Sequence, residues 1–369
     1  MSRPVWAARP ATPMEPLVGG ARADVCVVGL GAAGLAAAHH ATVRGRSVIG
    51  LDAGDIGDGA SGRNGGLLLA GAAPFHHRAV STWGRERATA IRAATLAELD
   101  RVVADHRGAV RRVGSLRIAA DAAEVADCEA QLAALRDDGF RAERYEGAEG
   151  RGILLPDDAA FDPARRCVEA AERALEAGAS LHPRSRVAHV ATGRVMLERG
   201  EVRCDAVVVA VDGALEQLLP ELRGRVRSAR AQMLATAPAE SRWPRPVYRR
   251  HGWDYYQQRP DGRVVLGGFR DRGGDAEWTT DPTPTPHVQS HLDAFLREEL
   301  AVAEPVTHRW AGIIGFTDDG LPVVEEVRDG VFACGGYCGA GNLIGPVAAR
   351  ALVDLAIDGS SPVAVLLGG

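Results

Sequence analysis

The stretch ADVCVVGLGAAGLAAAHHATVRGRSVIGLDAG, residues 23–54, decides the fold. DVCVVG is an apolar, β-branched run with the length of a buried strand. GLGAAG holds too much glycine for either regular element and reads as a tight turn. LAAAHHATVRG follows as a helix of small residues that ends at Gly45. SVIGLD is a second apolar run, and it closes on the acid Asp52. Strand, turn, helix and strand make a βαβ unit with parallel strands, because the crossover helix carries the chain back to the edge it left.

Gly29, Gly31 and Gly34 are spaced G-x-G-x-x-G over that first turn. The spacing alone is weak, but here a strand precedes it, a helix follows it, and an acid stands about 20 residues on. Glycines let a pyrophosphate approach the backbone, and the first amides of the helix, from Ala32 and Ala33, point outward to meet it. Asp52, with Ala53 beside it, suits a ribose hydroxyl and repels a 2′-phosphate, so the dinucleotide is NAD or FAD and not NADP.

The next segment separates those two. GASGRNGG (59–66) is too rich in glycine for a stable helix and offers a strand nothing to pack. A nicotinamide enzyme would go on with further alternating helices and strands. A glycine loop just after the ribose acid instead suits the rest of a longer cofactor. Ser61, Gly62, Arg63, Asn64, Gly65, Gly66 and Leu67 are therefore candidate contacts. A second glycine loop, YCGAGN (337–342), lies between a strand and a helix near the C-terminus. A helix N-terminus there can stabilise negative charge.

Composition narrows the function class. The chain has 369 residues, enough for two domains, and carries a net charge of −5, which gives no footprint for nucleic acid. All 43 basic residues are arginine, so a lysine Schiff base and a Walker lysine are excluded. The six cysteines show neither CxxC pairs nor zinc spacing, and no metal is expected. The N-terminus lacks a signal-peptide pattern and no run of 18 apolar residues occurs, so a cytoplasmic enzyme without a membrane partner is expected.

In order along the chain, these motifs resemble the FAD-dependent D-amino-acid oxidase superfamily, and within it the branch similar to γ-glutamylputrescine oxidoreductases and other bacterial amine oxidoreductases. GASGRNGG matches that branch's flavin loop. SRVAHV places Val187 at the family's adenine contact, and CDAVVVAVDGALEQLLPEL places Gly213 on the strand that closes the cofactor domain. WAGIIGFTDDGLPVV followed by VFACGGYCGAGNLIGPVAARAL resembles the last segment, so Gly336, Gly339, Gly341, Asn342, Leu343 and Ile344 join the cofactor set. The implied fold is α/β, a Rossmann-like FAD-binding domain interleaved with an α+β substrate domain on a mostly antiparallel sheet. The expected division is an arm over 1–22, the cofactor domain over 23–84, 150–225 and 312–369, and the substrate domain over 85–149 and 226–311.

Departures from the family bear on substrate. Ile314 stands where glycine-oxidase-like members carry a carboxylate-gripping arginine, which favours an amine. Val265 stands near an oxygen-activating lysine of sarcosine-oxidase-like members. Arg63 stands at the family's flavin-attaching histidine and its attachment cysteine falls within GIIGF, so FAD is expected to be non-covalent; Cys338 and Ala340 replace a common serine and histidine of the second glycine loop. Oxidation of an amine or amino-acid-derived substrate to an imine, with O2 or another acceptor, is the implied reaction. HGWDYYQQRPDGRVVLGGFR (251–270) is the aromatic candidate for the substrate wall, since a ring face holds an ammonium. Tyr255, Tyr256, Arg270 and Trp310 are the catalytic candidates. Strand alternation puts the two tyrosines on opposite faces. Arg270 reads first as a solvated arginine, and the pair His76–His77 as surface. The other readings are an amino-acid oxidase with a different carboxylate clamp, an NAD-dependent dehydrogenase, and a flavin-binding protein with a degenerate substrate site.

Overall fold

In a computed structural model, residues 3–8 and 10–368 are described. Residues 1, 2 and 9 of the expected arm, and residue 369 of the last expected segment, lie outside them. The chain divides into two compact units, each assembled from three segments. One comprises Met1–Trp6, Arg63–Asp162 and Ala229–Ile313; the other comprises Ala7–Gly62, Pro163–Ser228 and Ile314–Gly369.

The second of these units is built on the quoted stretch. Val25–Val28 and Val48–Leu51 are strands, and Ala32–Val43 is the helix between them. Both strands are buried at every residue, as are Ala206–Val209 and Val331–Gly335. Such continuous apolar runs belong to a sheet covered on both faces. The sheet order is Ser180–His182, Val48–Leu51, Val25–Val28, Ala206–Val209, Val331–Gly335 and Val323–Arg328. Its neighbours pair parallel except the last two, which are antiparallel. Alanines on the first helix let Gly341–Asp358 pack closely on it; a Cβ on Gly345 would already lie 3.3 Å from that of Ala33. His40 shares a 2.7 Å hydrogen bond with Asp354 of that second helix. Within the expected arm, Gly19–Arg22 is a strand pairing with Gly200–Arg203 in a four-stranded sheet.

The other unit carries an eight-stranded sheet in the order Val306–Phe316, Arg227–Pro238, Arg263–Gly268, Asp254–Gln258, Val247–Arg249, Ser115–Ile118, Gly150–Leu155 and Glu143–Gly147. It is mostly antiparallel; Val247–Arg249 and Ser115–Ile118 pair parallel. One face packs Leu116, Ile118, Tyr256 and Leu266 against Val288 and Leu292 of the helix Pro286–Ala294. The opposite face sets Ile153 and Leu155 against Leu132 and Leu135 of the helix Ala122–Asp137.

Three local readings change. Ala60–Arg63 forms one helical turn despite its glycine, because a Cβ at Gly62 would lie 2.1 Å from the Gly57 carbonyl oxygen and only glycine fits there. His76 is not on the surface: it lies in the helix His76–Trp83, is buried, and shares a 2.7 Å hydrogen bond with Asp138. HVQSHLDAFLREEL (287–300) reads as one helix, but the chain leaves the α geometry after Ala294 and finishes as a π turn, Phe295–Glu299.

Candidate cofactor-binding and active site

Gly29 ends the first strand and Gly31 caps the helix Ala32–Val43 without a side-chain hydrogen bond of its own. Gly34 is sterically obligatory, since a Cβ there would fall 1.7 Å from the Gly29 carbonyl oxygen. Ala32 and Ala33 supply the first turn, and Ser61 Oγ accepts from the Ala32 amide at 2.9 Å. The carboxylate of Asp52 accepts from the amides of Leu30 at 2.7 Å and Gly54 at 2.8 Å. Burial raises its pKa, and those amides pull it back in part. The acid is thereby fixed beside the glycine turn, and the Ala53 amide adds to the pull on it. Val187 opens the strand Val187–Ala191 in the same unit.

The second glycine loop is organised by a residue that sequence reading missed. Asp212 has φ +48° and is half-buried, and its carboxylate accepts from the amides of Gly315 at 3.0 Å and Gly336 at 2.9 Å. Desolvation raises its pKa against the pull of those amides. Gly213 beside it sits against Ser228, whose hydroxyl donates to the Gly213 carbonyl at 2.7 Å. Gly336, Gly339 and Cys338 all take positive φ, which shapes the loop before Gly341 opens the long helix. The Cys338 thiol is raised by burial and lies against Thr317, 3.4 Å from its amide and hydroxyl. Leu343 and Ile344 are buried, and their amides turn back onto the Ala340 carbonyl. Buried Arg166 donates to the Asn342 carbonyl at 2.9 Å. The neighbouring glycine in VDG was the available signal for Asp212.

In the unit carrying the eight-stranded sheet, the stretch from Arg63 to Leu67 is held by its own side chains and by others far away in sequence. Arg63 is buried and its Nε donates to the Ala311 carbonyl at 2.8 Å. Trp310 Nε1 donates to the Arg63 carbonyl at 2.7 Å, and Trp6 Nε1 to that of Asn64 at 2.9 Å. Asn64 Oδ1 closes the turn by accepting from the Gly66 amide. Gln257 Nε2 donates to the carbonyls of Gly65 at 2.7 Å and Gly66 at 2.8 Å. A Cβ at Gly65 would lie 2.8 Å from the Tyr255 ring, and one at Gly66 2.1 Å from Gln257 Nε2. Two groups that demand glycine here are therefore Tyr255 and Gln257. Leu67 starts the short strand Leu67–Leu68.

The catalytic candidates separate. Tyr255 faces the loop, whereas Tyr256 points into the core, edge-on to Trp243 with ring centroids 5.4 Å apart. Trp310 is fully buried and holds the Arg63 carbonyl, which makes it a positioning residue for the loop. Arg270 is half-buried, and its guanidinium lies over the rings of both Trp253 and Trp278, 4.8 Å from each centroid. Gln257 was missed, although the period of two from Tyr255 carried the signal.

A sterically stripped turn at a helix N-terminus, a fixed acid beyond it and a second strand–loop–helix in the same unit fit an FAD. Among the described residues no helix is long and apolar enough to cross a membrane. The chain is 26% identical to probable oxidoreductase OrdL of Rhizobium meliloti (strain 1021), covering 97% of this chain and 88% of that one. It is 25% identical to γ-glutamylputrescine oxidoreductase of Escherichia coli (strain K12), covering 90% and 83%. Its fold matches L-proline dehydrogenase from P. horikoshii, with TM-score 0.76 at 17% identity over 93% of this chain and 96% of that one. Glycine oxidase from Geobacillus kaustophilus matches with TM-score 0.74 at 19% identity over 93% and 96%. The model of the family described as FAD dependent oxidoreductase matches residues 24–355, so the chain belongs to that family and is an oxidoreductase with FAD as its cofactor.

Proposed function

We propose that this enzyme removes a hydride from the carbon beside nitrogen of an amine or amino-acid-derived substrate, yields an imine, and passes the electrons to O2 or another acceptor. The observation that carries this reading is the similarity to γ-glutamylputrescine oxidoreductase over 90% of the chain. Ile314, half-buried in the strand Val306–Phe316, agrees with it, because an isoleucine offers an α-carboxylate no donor. FAD, when bound, supplies the two-electron acceptor. Gly29, Gly31, Gly34 and Asp52 hold the nucleotide end, and the turn fixed by Asp212 presents helix amides to developing negative charge. Arg63 to Gly66 form the flavin loop, kept in one conformation by Trp310 and Gln257. Tyr255 supplies an aromatic face for an amine and an environment that favours its neutral, reactive form.

A second reading rests on Arg270. A guanidinium sandwiched by two indoles keeps its N–H donors in one plane, suited to a carboxylate. The enzyme would then oxidise an amino acid gripped from a direction other than Ile314. The purified protein should be yellow, and acid precipitation should leave the colour in the supernatant. Anaerobic titration then separates the readings: bleaching by diamines and their acylated forms supports the first, and bleaching by α-amino acids alone supports the second. A colourless protein that FAD cannot reconstitute, or a flavin that neither class reduces, overturns the proposal.

A further inference from the structure

In the unit that carries the eight-stranded sheet, the strand Ser115–Ile118 and the helices Arg85–Asp105 and Ala122–Asp137 enclose a small pocket lined by Gly71, His76, Arg92, Arg117 and Gln131 among others. Its free space holds about one water-sized particle. Arg92 and Arg117 are 4% and 5% exposed and Gln131 is fully buried. Arg117 lies between the rings of Phe75 and Tyr248, at 4.8 and 5.1 Å, so its remaining interactions are confined to the guanidinium plane. Arg92 stands 5.3 Å over the Phe140 ring and gives one N–H to the Ala70 carbonyl.

The polar inventory of this pocket is one-sided. Arg92 Nε, Arg117 Nε and Nη1, and both amide atoms of Gln131 have no hydrogen-bond partner among the described residues. Those groups carry six N–H donors against a single carbonyl oxygen. The nearest carboxylate does not supply the difference. Asp158 is fully buried, and its oxygens are taken by the Ser115 hydroxyl at 2.6 Å and the Ala70 amide at 2.9 Å. His76 turns its Nε2 to Asp138. Arg92 is pushed down to about 10 by burial, with Arg117 adding repulsion and Asp158 opposing it; it keeps its charge at neutral pH. Two enclosed cations thus share one small space.

We propose that this pocket binds a single halide-sized monovalent anion, chloride or its equivalent, between Arg92, Arg117 and Gln131. Stoichiometry and size select the ligand. A water accepts two hydrogen bonds and leaves most of these donors unsatisfied, at a cost of order 1 kcal/mol or more for each. A carboxylate or phosphate exceeds the space. The anion also has a structural target. Arg117 stands opposite Tyr248 in the sheet, and Tyr248 opposite Tyr255, so the stack that the anion fixes runs toward the residue lying on the Gly65 backbone.

The test is thermal melting of the holoenzyme in gluconate, chloride and bromide at constant ionic strength. The expected result is a saturable rise of about 2–4 °C in the halides. The variant Gln131→Glu places a carboxylate among the same donors. It is expected to melt in gluconate as high as the wild type does in chloride, and to ignore halide. Crystals of the wild type grown with bromide should show an anomalous peak within hydrogen-bond distance of Arg117 and Gln131, which keeps the test decisive if the variant fails to fold. Identical melting in all three salts with no bromide peak there overturns the proposal and leaves water as the occupant. A halide response retained in full by folded Gln131→Glu also overturns it, because the ion would then act elsewhere.

Discussion

Gln257 and Gln258 are neighbours on one strand, are both buried, and use their side-chain amides on backbone groups, but they do so on opposite faces. Replacing Gln257 by methionine keeps the length and volume of the side chain and removes the amide. The two short hydrogen bonds to the carbonyls of Gly65 and Gly66 disappear, together with a longer one to the Phe161 carbonyl at 3.4 Å. The Gly66 carbonyl keeps a partner in the Phe161 amide at 2.9 Å. The Gly65 carbonyl loses its donor at a buried residue. Two net hydrogen bonds at about 1 kcal/mol each, plus about 1–2 kcal/mol for one stranded carbonyl, give a loss of roughly 3–4 kcal/mol. For a unit of this size that corresponds to a fall of about 6–16 °C in Tm.

Gln258→Met is the matched control. Its carbonyl oxygen accepts from the amides of Arg242 and Trp243, and its Nε2 donates to the carbonyls of Glu240 and Gly262. That variant should lose at least as much stability. The two should part in flavin binding, read by equilibrium dialysis or by fluorescence quenching of free FAD. Gln257→Met unpins the Arg63 to Gly66 loop, and FAD should bind at least about tenfold more weakly, which is 1.4 kcal/mol. Gln258→Met should bind FAD as the wild type does. Equal flavin affinity in the two variants, or a Gln257→Met protein that melts with the wild type, would refute the assignment of this loop.

Gly34→Ala forces a Cβ to 1.7 Å from the Gly29 carbonyl and should give a protein without flavin absorbance, whereas Gly59→Ala, with nothing within 4 Å, should keep its full flavin content. Asp52 is raised by burial, so the folded state holds its proton more tightly than the unfolded chain does. Its contribution to stability is complete below the unfolded carboxylate value and is lost as pH rises through the folded one. Subtracting the apo Tm–pH profile of Asp52→Asn from that of the wild type should therefore leave a curve that declines with rising pH in the acid range, and a flat difference would show that the site is not desolvated. If Arg270 grips a carboxylate, Arg270→Met should raise KM for amino-acid substrates about 10- to 100-fold with little change in kcat, and leave a simple amine unaffected.

Periodicity and composition suffice for the parts of the fold that are local. The strand–turn–helix–strand of residues 23–54 appears as Val25–Val28, Ala32–Val43 and Val48–Leu51, because a buried parallel strand, a glycine turn and a small-residue helix each leave a local mark. The alternation of Tyr255 and Tyr256 likewise separates the tyrosine that faces the loop from the one that enters the core. His76 was misplaced for the converse reason: its burial is decided by Asp138, a partner 62 residues away that no local period announces.

The glycine loop shows where this boundary falls. Its sequence states that side chains had to be absent, but not what excludes them. A cofactor alone would account for the glycines, yet the nearest obstacles are the Tyr255 ring and the Gln257 amide, the latter 191 residues from Gly66. The same strand that offers an aromatic face also fixes the backbone on which that face rests. Arg270 follows the same logic. As an isolated residue in FRDR it reads as a surface charge, and only the approach of Trp253 and Trp278 fixes how its guanidinium plane is oriented. A substitution at Tyr255 or Gln257 therefore acts on the conformation of this loop as well as on the proposed substrate wall. Specificity in this enzyme should prove hard to alter at Tyr255 without also altering flavin affinity.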